Sequence, residues 1–468
     1  MRKEYKEYQF DKMVQSIVHF GSLAKDGTDK ECFGMFRYAP HFKEVFGTIL
    51  GTGEPGVKLM KMVDKYLCDV LNASAQGKKV ALCTFNFSPA VLKPLGVVPL
   101  VVEPLTTLGV MMWLRGMGEY LNYCCELGFT ETSCSAQRGA MGAYLAGLGV
   151  KPDFVLCNSV GVCDTNATAF NFAAEYLDLP FYQLNALPLF ADKRTIDYQH
   201  RDFRGLISFV EEQTGKKLDV GLMREVIHEI KKQDDLINEI QDLMQLKPSP
   251  VPGTYNVFMY SVKFIYGGYP EGTEVLESML KHAKQNAAQG RAGTASGKEV
   301  ARCFSVYVDH YSAQLRPWAW FDSKDISHVG SMMNGFWPDG APVAKGELAE
   351  GIYKLDATNR DTMLDSLCDQ MSRMPMVKQI RGPMDDPHQW LLETRGSIRT
   401  FKPDFCTYTG TIGCRNTWGA IKVLARDTEK MGLPTLILFG DAFDQRITSW
   451  ESMRERIDEF LSIRGILK

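Results

Sequence analysis

Two hydrophobic patterns alternate along the chain, short apolar runs typical of buried strands and longer stretches with helical periodicity. Apolar runs occupy residues 79–85, 97–102, 153–157 and 179–184, and apolar positions recur with helical spacing over 165–176. Strands that alternate with helices of about 10–15 residues form βαβ units, which build a parallel sheet. The first half of the chain therefore predicts an α/β domain.

The same alternation returns after residue 300, with predicted strands at 303–308, 405–408 and 435–439 and a closing helix at 453–463. The region between the two halves carries amphipathic helical stretches, whose charged residues we interpret as solvated helix faces. The expected fold class is α/β, with two doubly wound, flavodoxin-like domains that contain parallel sheets. The expected divisions are a helical segment at 1–75, α/β domains at 76–199 and 300–468, and a helical segment at 200–299.

An internal similarity supports two related domains. Lys-Pro-Asp-Phe at 151–154 recurs at 402–405, and a cysteine follows each Phe by nine residues, as Cys163 and Cys414. A predicted helix, a Leu-Pro pair and a further strand follow in both copies. Because ligands of such sheets bind beyond the carboxyl ends of the strands, both cysteines are expected to face a shared interdomain cleft.

Composition narrows the class of protein. The 468 residues are 45% hydrophobic and 23% charged, with a net charge of −3, which is typical of a globular chain. A nucleic-acid partner is disfavoured because phosphate-binding surfaces show a basic excess. The most apolar stretch, 97–114, contains two prolines and Glu103, so no membrane helix is expected. The N-terminus lacks a signal-peptide pattern, and we expect a cytoplasmic protein.

Twelve cysteines are the main chemical feature of the sequence, and none forms a C-x-x-C pair, which disfavours zinc ribbons and thioredoxin chemistry. Cys83 and Cys157 end predicted strands, and Cys163 and Cys414 lie in the loops that follow strands. Cys134 precedes a helix rich in small residues, and a helix N-terminus favours the thiolate. A single cysteine of this kind is usually a core residue, but several at the loops of one α/β fold suit an iron–sulfur cluster.

The remaining cysteines are less informative. Adjacent residues on a helix point about 100° apart, so at most one of Cys124 and Cys125 would normally face a given site. Four others stand in apolar contexts and are assigned to the core: Cys32, Cys68, Cys303 and Cys368.

Two apparent nucleotide motifs are not convincing. The Gly-x-Gly-x-x-Gly letters at 51–56 follow no strand, and the segment 292–298 resembles a phosphate-binding loop but is followed by Glu299. ATP binding by this chain itself is therefore not expected. His310 and His328 are possible pocket acids or bases, although a structural role is the favoured interpretation for each.

Several stretches together resemble one known family. They are 83–96, which begins Cys-Thr-Phe-Asn-Phe-Ser-Pro; 134–139; 152–164; 214–219; 413–419; and 440–446, Gly-Asp-Ala-Phe-Asp-Gln-Arg. In this order they are similar to the larger, cluster-bearing subunits of 2-hydroxyacyl-CoA dehydratases and benzoyl-CoA reductases. The resemblance covers about residues 76–463.

That resemblance implies a [4Fe-4S] cluster held by three cysteines, which map to Cys83, Cys134 and Cys414, with the fourth iron open. Cys163 and the acidic residue after it resemble a branch of the family that carries a double-cubane [8Fe-9S] cluster. Cys163 would then be a further ligand, together with one of the cysteines at 124, 125 or 157.

The implied function is that of an iron–sulfur subunit of a radical 2-hydroxyacyl-CoA dehydratase. Its implied partners are an acyl-CoA substrate, a related smaller subunit and an ATP-hydrolysing iron–sulfur activator that supplies one electron. Three alternatives remain open: a benzoyl-CoA reductase subunit, a homodimeric double-cubane reductase, and a cluster-free partner subunit. Asp441, Asp444 and Arg446 would line the cleft or tie the two domains together.

Overall fold

The structure is a computed structural model that describes residues 9–25, 29, 40–112, 117–188, 191–306, 315–334, 353–411, 413–441, 443–444 and 446–467. Two residues of the sequence analysis, Cys32 and His310, lie outside this range. None of the described helices is both long enough and apolar enough to cross a membrane.

The first half consists of helices at the N-terminus followed by a four-stranded sheet and the helices that connect its strands. Two short 3₁₀ turns, Pro89–Val91 and Lys93–Leu95, connect the first two strands of this sheet. The elements are α1 (Phe10–Ser22), α2 (Pro40–Leu50), α3 (Glu54–Asn72), β1 (Lys79–Cys83), β2 (Val97–Val101), α4 (Val102–Met112), α5 (Met117–Glu126), α6 (Ser135–Leu145), β3 (Phe154–Val160), α7 (Asp164–Leu177) and β4 (Phe181–Asn185).

Four long helices follow, and their apolar faces pack against one another and against the first sheet. They are α8 (Lys193–Thr214), α9 (Val220–Met244), α10 (Tyr255–Tyr266) and α11 (Pro270–Ala288). A buried ion pair joins two of them, because Lys263 Nζ lies 2.7 Å from Asp234 Oδ1. The hydroxyl of Tyr353 donates to the other carboxylate oxygen at 2.8 Å, so both oxygens of this buried acid have partners.

A second four-stranded sheet and its helices form the rest of the described chain. One strand, β6, was not predicted, because its residues Ile-Ser-His-Val-Gly-Ser are half polar although all six are buried. The elements are β5 (Ala301–Ser305), α12 (Arg316–Ser323), β6 (Ile326–Ser331), α13 (Arg360–Ser372), α14 (Pro375–Asp385), α15 (Gln389–Phe401), β7 (Phe405–Thr411), α16 (Arg415–Lys430), β8 (Thr435–Gly440) and α17 (Trp450–Ile463).

The two sheets share one topology. The strand orders are β2-β1-β3-β4 and β6-β5-β7-β8, and every neighbouring pair is parallel. This is the order that begins a flavodoxin-like doubly wound sheet. The expected fold class, two flavodoxin-like α/β domains with parallel sheets and additional helical segments, is confirmed.

The repeated Lys-Pro-Asp-Phe segments make the same hydrogen bonds in both halves. Two hydrogen bonds of 2.8 Å join Asp153 to Val80. The Asp153 carboxylate accepts from the backbone N–H of Val80, and the backbone N–H of Asp153 donates to the carbonyl of Val80. Asp404 and Arg302 do the same, again at 2.8 Å. The repeated aspartate therefore fixes the start of the third strand of each sheet against the first.

Candidate functional site

Three cysteines occupy the N-cap positions of three helices. Cys134 precedes α6, Cys163 precedes α7 and Cys414 precedes α16. The last two follow β3 and β7, so they lie at the carboxyl edges of the two sheets, as the sequence predicted. The backbone N–H of Asn166 donates to Cys163 Sγ at 3.5 Å. The positive ends of three helix dipoles thus face the region where these sulfurs lie, which favours anionic ligands there.

The three thiols interact with one another. Burial raises the pKa of Cys134 well above its usual range, and the negative charges of Cys414, Asp441 and Cys163 raise it further. Burial likewise raises the pKa of Cys163, with Cys414 as the next contributor. The charges of Cys163 and Cys414 therefore oppose ionisation of Cys134, and a bound cationic iron–sulfur core would relieve that repulsion because soft thiolates are its natural ligands.

The charge of the Glu103 carboxylate acts on both Cys83 and the N-cap cysteine Cys163. Cys83 ends β1, is fully buried, and donates from Sγ to the carbonyl of Ala81 at 3.3 Å. Burial raises the pKa of Cys83, and the charge of Glu103 raises it further. Glu103 also contributes to the raised pKa of Cys163. The structure thus brings Cys134, Cys163 and Cys414 together and places Glu103 among the charges that act on both Cys83 and Cys163.

Glu103 is a site residue that the sequence analysis did not single out. Its Oε1 accepts from Gln137 Nε2 and from Asn166 Nδ2, each at 3.2 Å. Its buried Oε2 has no hydrogen-bond partner among the described residues, and burial raises the pKa of Glu103 to about 7. The two donors stand on α6 and α7, the helices that begin after Cys134 and Cys163. The available sequence signal was one acidic residue directly after an apolar strand.

The other candidate cysteines occupy different environments. Cys124 Sγ donates to the carbonyl of Arg138 at 3.2 Å, and Arg138 Nη1 donates to Cys125 Sγ at 3.5 Å. Both thiols therefore contact one arginine near the start of α6. Cys157 lies in the middle of β3 rather than at its end, because that strand continues to Val160. Burial raises the pKa of Cys157 to about 11.

Four cysteines were assigned to the core. Cys303 and Cys368 are fully buried in the structure, as that assignment requires. Cys68 is only partly buried, and its sulfur accepts a hydrogen bond from Gln15 Nε2 at 3.4 Å. Cys68 lies on α3, which packs against α1, and its thiol there contacts a polar side chain rather than the core.

His328 belongs to a buried polar network in the second sheet. Asn256 Nδ2 donates to His328 Nδ1 at 2.8 Å, and Ser305 Oγ lies 2.7 Å from Nε2. Since the amide donates to Nδ1, the ring proton is assigned to Nε2, which then donates to the serine. Burial lowers the pKa of His328 to about 3, so the ring is neutral. This geometry fits the structural role that the sequence analysis favoured.

The nucleotide-like motifs form no phosphate site. The segment 51–56 links two helices, with Gly53 as the N-cap of α3 at φ 79°. The segment 292–298 lies between α11 and β5, and Glu299 forms an ion pair with Arg302 at 3.0 Å. Neither segment joins a strand to a helix in the way that phosphate-binding loops do.

A cleft of about 270 Å³ opens beside two of the three N-cap cysteines. Its walls include Ser133 and Asp164, the chain neighbours of Cys134 and Cys163, together with the edge-to-face ring pair Phe129 and Phe172. Apolar side chains and hydroxyls thus line the cleft, which contacts the chain neighbours of the two cysteines and not the cysteines themselves.

The three N-cap cysteines supply soft thiol donors from three separate segments, which is a donor set that iron–sulfur clusters use. Within the described part of the chain, no three His, Cys, Asp or Glu side chains converge closely enough to enclose one metal ion. The chemistry of these donors fits the type of cluster that the resemblance implied, with Cys163 where the resemblance implied Cys83.

Fold and site together define a two-domain α/β protein with a group of thiols, partly or fully buried, at three helix N-termini. The family model of the 2-hydroxyglutaryl-CoA dehydratase D-component matches residues 87–463, and the chain belongs to that family. One similar protein is the (R)-phenyllactyl-CoA dehydratase alpha subunit of Clostridium sporogenes, which is 26% identical over 243 residues. That similarity covers 50% of this chain and 58% of the relative, so the match spans little more than half of the relative's length.

Proposed function

We propose that this chain is the iron–sulfur subunit of a 2-hydroxyacyl-CoA dehydratase, which eliminates water from an acyl-CoA thioester. The observation that carries the proposal is the convergence of three N-cap cysteines from both domains in a family of dehydratase components. Cys134, Cys163 and Cys414 are the proposed cluster ligands. Cys83, which the resemblance placed in the ligand set with Cys134 and Cys414, is the alternative third ligand in place of Cys163.

A [4Fe-4S] cluster, when bound, supplies one-electron chemistry and an open iron that acts as a Lewis acid. The protein surrounds it with buried side chains, which exclude water and strengthen nearby electrostatic interactions. Gln137 and Asn166 orient the Glu103 carboxyl by donating to Oε1. Its second oxygen, Oε2, is the atom proposed to hold a proton, because a carboxyl group whose pKa is about 7 can exchange one at neutral pH.

The name of a similar protein supports the proposed assembly. The similar Clostridium sporogenes protein is an alpha subunit by name, and we propose that this chain likewise pairs with a related smaller subunit. An ATP-hydrolysing iron–sulfur activator is the proposed electron donor, and the cytoplasm is the proposed location. The thiol site supports the proposal for this chain. The smaller subunit, the activator and the location are proposals for the whole enzyme.

Metal analysis tests the proposed site. The full chain is purified without oxygen, and iron and acid-labile sulfide are measured together with EPR spectra. About four irons per chain would support the [4Fe-4S] assignment, and about eight would favour the double-cubane cluster. A chain without iron would contradict the proposal and support the cluster-free subunit.

Single serine variants identify the ligands. Cys134→Ser, Cys163→Ser and Cys414→Ser are each expected to lose most of the iron. Cys303→Ser is the matched control, because that thiol is fully buried but lies on β5, away from the three helix N-termini. Full iron in Cys163→Ser and none in Cys83→Ser would restore the ligand set that the resemblance implied.

Activity then distinguishes the enzyme classes. The loaded protein is assayed with the partner subunit, activator, ATP and (R)-phenyllactyl-CoA as probe, and water elimination is followed by mass spectrometry. Dehydration without net electron consumption supports the dehydratase. Stoichiometric electron consumption with benzoyl-CoA and no dehydration would identify the ring reductase instead.

A further inference from the structure

The segment after β8 crosses to the other domain and binds the first residue of α6. Ser135 Oγ donates to Asp441 Oδ1 in a short hydrogen bond and accepts from the backbone N–H of Phe443 at 3.1 Å. The same Oδ1 accepts from the N–H groups of Phe443 at 3.1 Å and Asp444 at 2.9 Å. We call this arrangement the Ser135–Asp441 clasp.

The clasp lies beside two of the site cysteines. Ser135 follows Cys134 directly, and Asp441 follows the last residue of β8, the neighbour of β7, which leads to Cys414. The backbones of the two cysteine segments also touch, because a Cβ placed on Gly413 would lie 2.6 Å from Cys134 Cα. Ser135 is fully buried and Asp441 is 5% exposed, so little water competes for these hydrogen bonds.

A second, exposed contact joins the segment after β8 to α5, the helix that precedes α6. Arg446 pairs with Asp444 through two hydrogen bonds of 2.8 and 2.7 Å, and its Nη1 donates to Asn122 on α5 at 3.0 Å. This contact lies at the surface, where a hydrogen bond contributes little net stability. It therefore offers a matched comparison with the buried clasp.

We propose that Ser135 and Asp441 are positioning residues, whose clasp between the domains sets the separation of Cys134 and Cys414. The inference rests on the proposed function only in taking those two thiols as site residues. The first turns of α6 and α16 belong to different domains, so no direct covalent connection fixes the separation of Cys134 and Cys414. A buried serine bonded to a carboxylate at that boundary supplies a directional constraint that apolar packing alone lacks.

The test measures how readily the two thiols meet in the metal-free full-length chain. Mild oxidation with diamide is expected to form a Cys134–Cys414 disulfide, which peptide mass spectrometry quantifies over time. Ser135→Ala and Asp441→Ala should each slow its formation about tenfold, the loss expected from one buried hydrogen bond to a charged group. Asp441→Asn keeps the acceptor oxygen and should lose less.

The double variant separates positioning from general destabilisation. If the two side chains act through their mutual contact, the Ser135→Ala/Asp441→Ala chain should be little slower than Asp441→Ala alone. Asn122→Ala, which removes the exposed contact to Arg446, should stay within about twofold of wild type. Thermal unfolding is recorded for every variant, and Asp441→Asn carries the test if an alanine variant does not fold.

Wild-type rates in both alanine variants would overturn the proposal, as would fully additive effects in the double variant. A wild-type chain in which both thiols react with iodoacetamide but form no such disulfide would also overturn it, because the sulfurs would then be reactive yet not held together. Iron content is measured separately. A wild-type chain without iron but with clasp-dependent disulfide formation would reject the proposed function and keep the clasp.

Discussion

Gly413 packs directly against the main chain of Cys134, with no space between them for a side chain. A Cβ on Gly413 would lie 2.6 Å from both the Cα and the N of Cys134. Both contacts are with backbone atoms, which cannot move aside as the end of a flexible side chain can. The absence of a side chain at position 413 therefore allows the segment before Cys414 to approach Cys134.

The first prediction follows from that contact. Gly413→Ala should separate the two segments, lower the iron content and destabilise the chain by about 1–3 kcal/mol, as overpacking does. Iron analysis and thermal unfolding measure the two effects. Gly419→Ala is the control, because a Cβ there meets nothing within 4 Å and alanine favours the helix. Normal iron content in Gly413→Ala would contradict this prediction.

The second prediction concerns Glu103, whose pKa is raised by burial to about 7. A raised pKa means that the folded chain holds a proton which the unfolded chain releases above about pH 4.5. The stability from this proton is present in acid and is lost as the pH rises through about 7. In the metal-free chain, Glu103→Gln should raise the unfolding free energy at pH 8 by up to about 3 kcal/mol and change it little at pH 4.5. A loss of stability at pH 8 would count against this account.

The third prediction concerns an ion-pair group between α8 and α13. His200 Nε2 lies 2.8 Å from Asp369 Oδ1, and Nδ1 lies 3.3 Å from Asp365 Oδ1. The hydrogen bond with Asp369 raises the pKa of His200, against the opposing effects of burial and of Arg204. This stability is present below the unfolded pKa of about 6.5 and declines as the pH rises through the higher folded value.

His200→Gln should therefore reduce the loss of thermal stability between pH 6 and 8, measured as unfolding midpoints across that range. His228→Gln is the control, since His228 is an exposed residue of α9. Equal pH slopes in wild type and His200→Gln would show that the contact between α8 and α13 does not depend on this proton.

The fourth prediction concerns the buried pair of Lys263 and Asp234. Asp234→Ala leaves the lysine charge buried without its 2.7 Å partner and should cost about 3–5 kcal/mol of unfolding free energy. The comparison is Glu277→Ala, which removes an exposed ion pair with Lys232 and should cost less than about 1 kcal/mol. Chemical denaturation of both variants measures the difference, and similar losses would contradict the prediction.

Much of the fold could be predicted from the sequence because most strands are apolar and regularly spaced. The repeated aspartates at 153 and 404 also carried reliable information, since each makes the same backbone bonds. β6 was missed because its polar residues are satisfied inside the fold, as in the network around His328. These hydrogen bonds are made with residues that are distant in sequence, so the local pattern does not reveal them.

The site could be predicted only in part. Each of the four candidate cysteines was recognisable from its position after a strand or before a helix. Their grouping depends on how the helices pack, and the charge of Cys163 acts on Cys134 while that of Cys414 acts on both. Glu103 could not be identified, because its role depends on donors from two later helices.

Two of the three N-cap cysteines occupy equivalent positions, because the two sheets share one strand order. Cys163 follows the third strand of the first sheet and Cys414 follows the third strand of the second, so they are equivalent positions of a duplicated unit. The site thus draws one thiol from each of two equivalent positions. Cys134 is the N-cap of the helix before β3, whereas the helix before β7 has His388 as its N-cap, so the third thiol breaks the symmetry between the two halves.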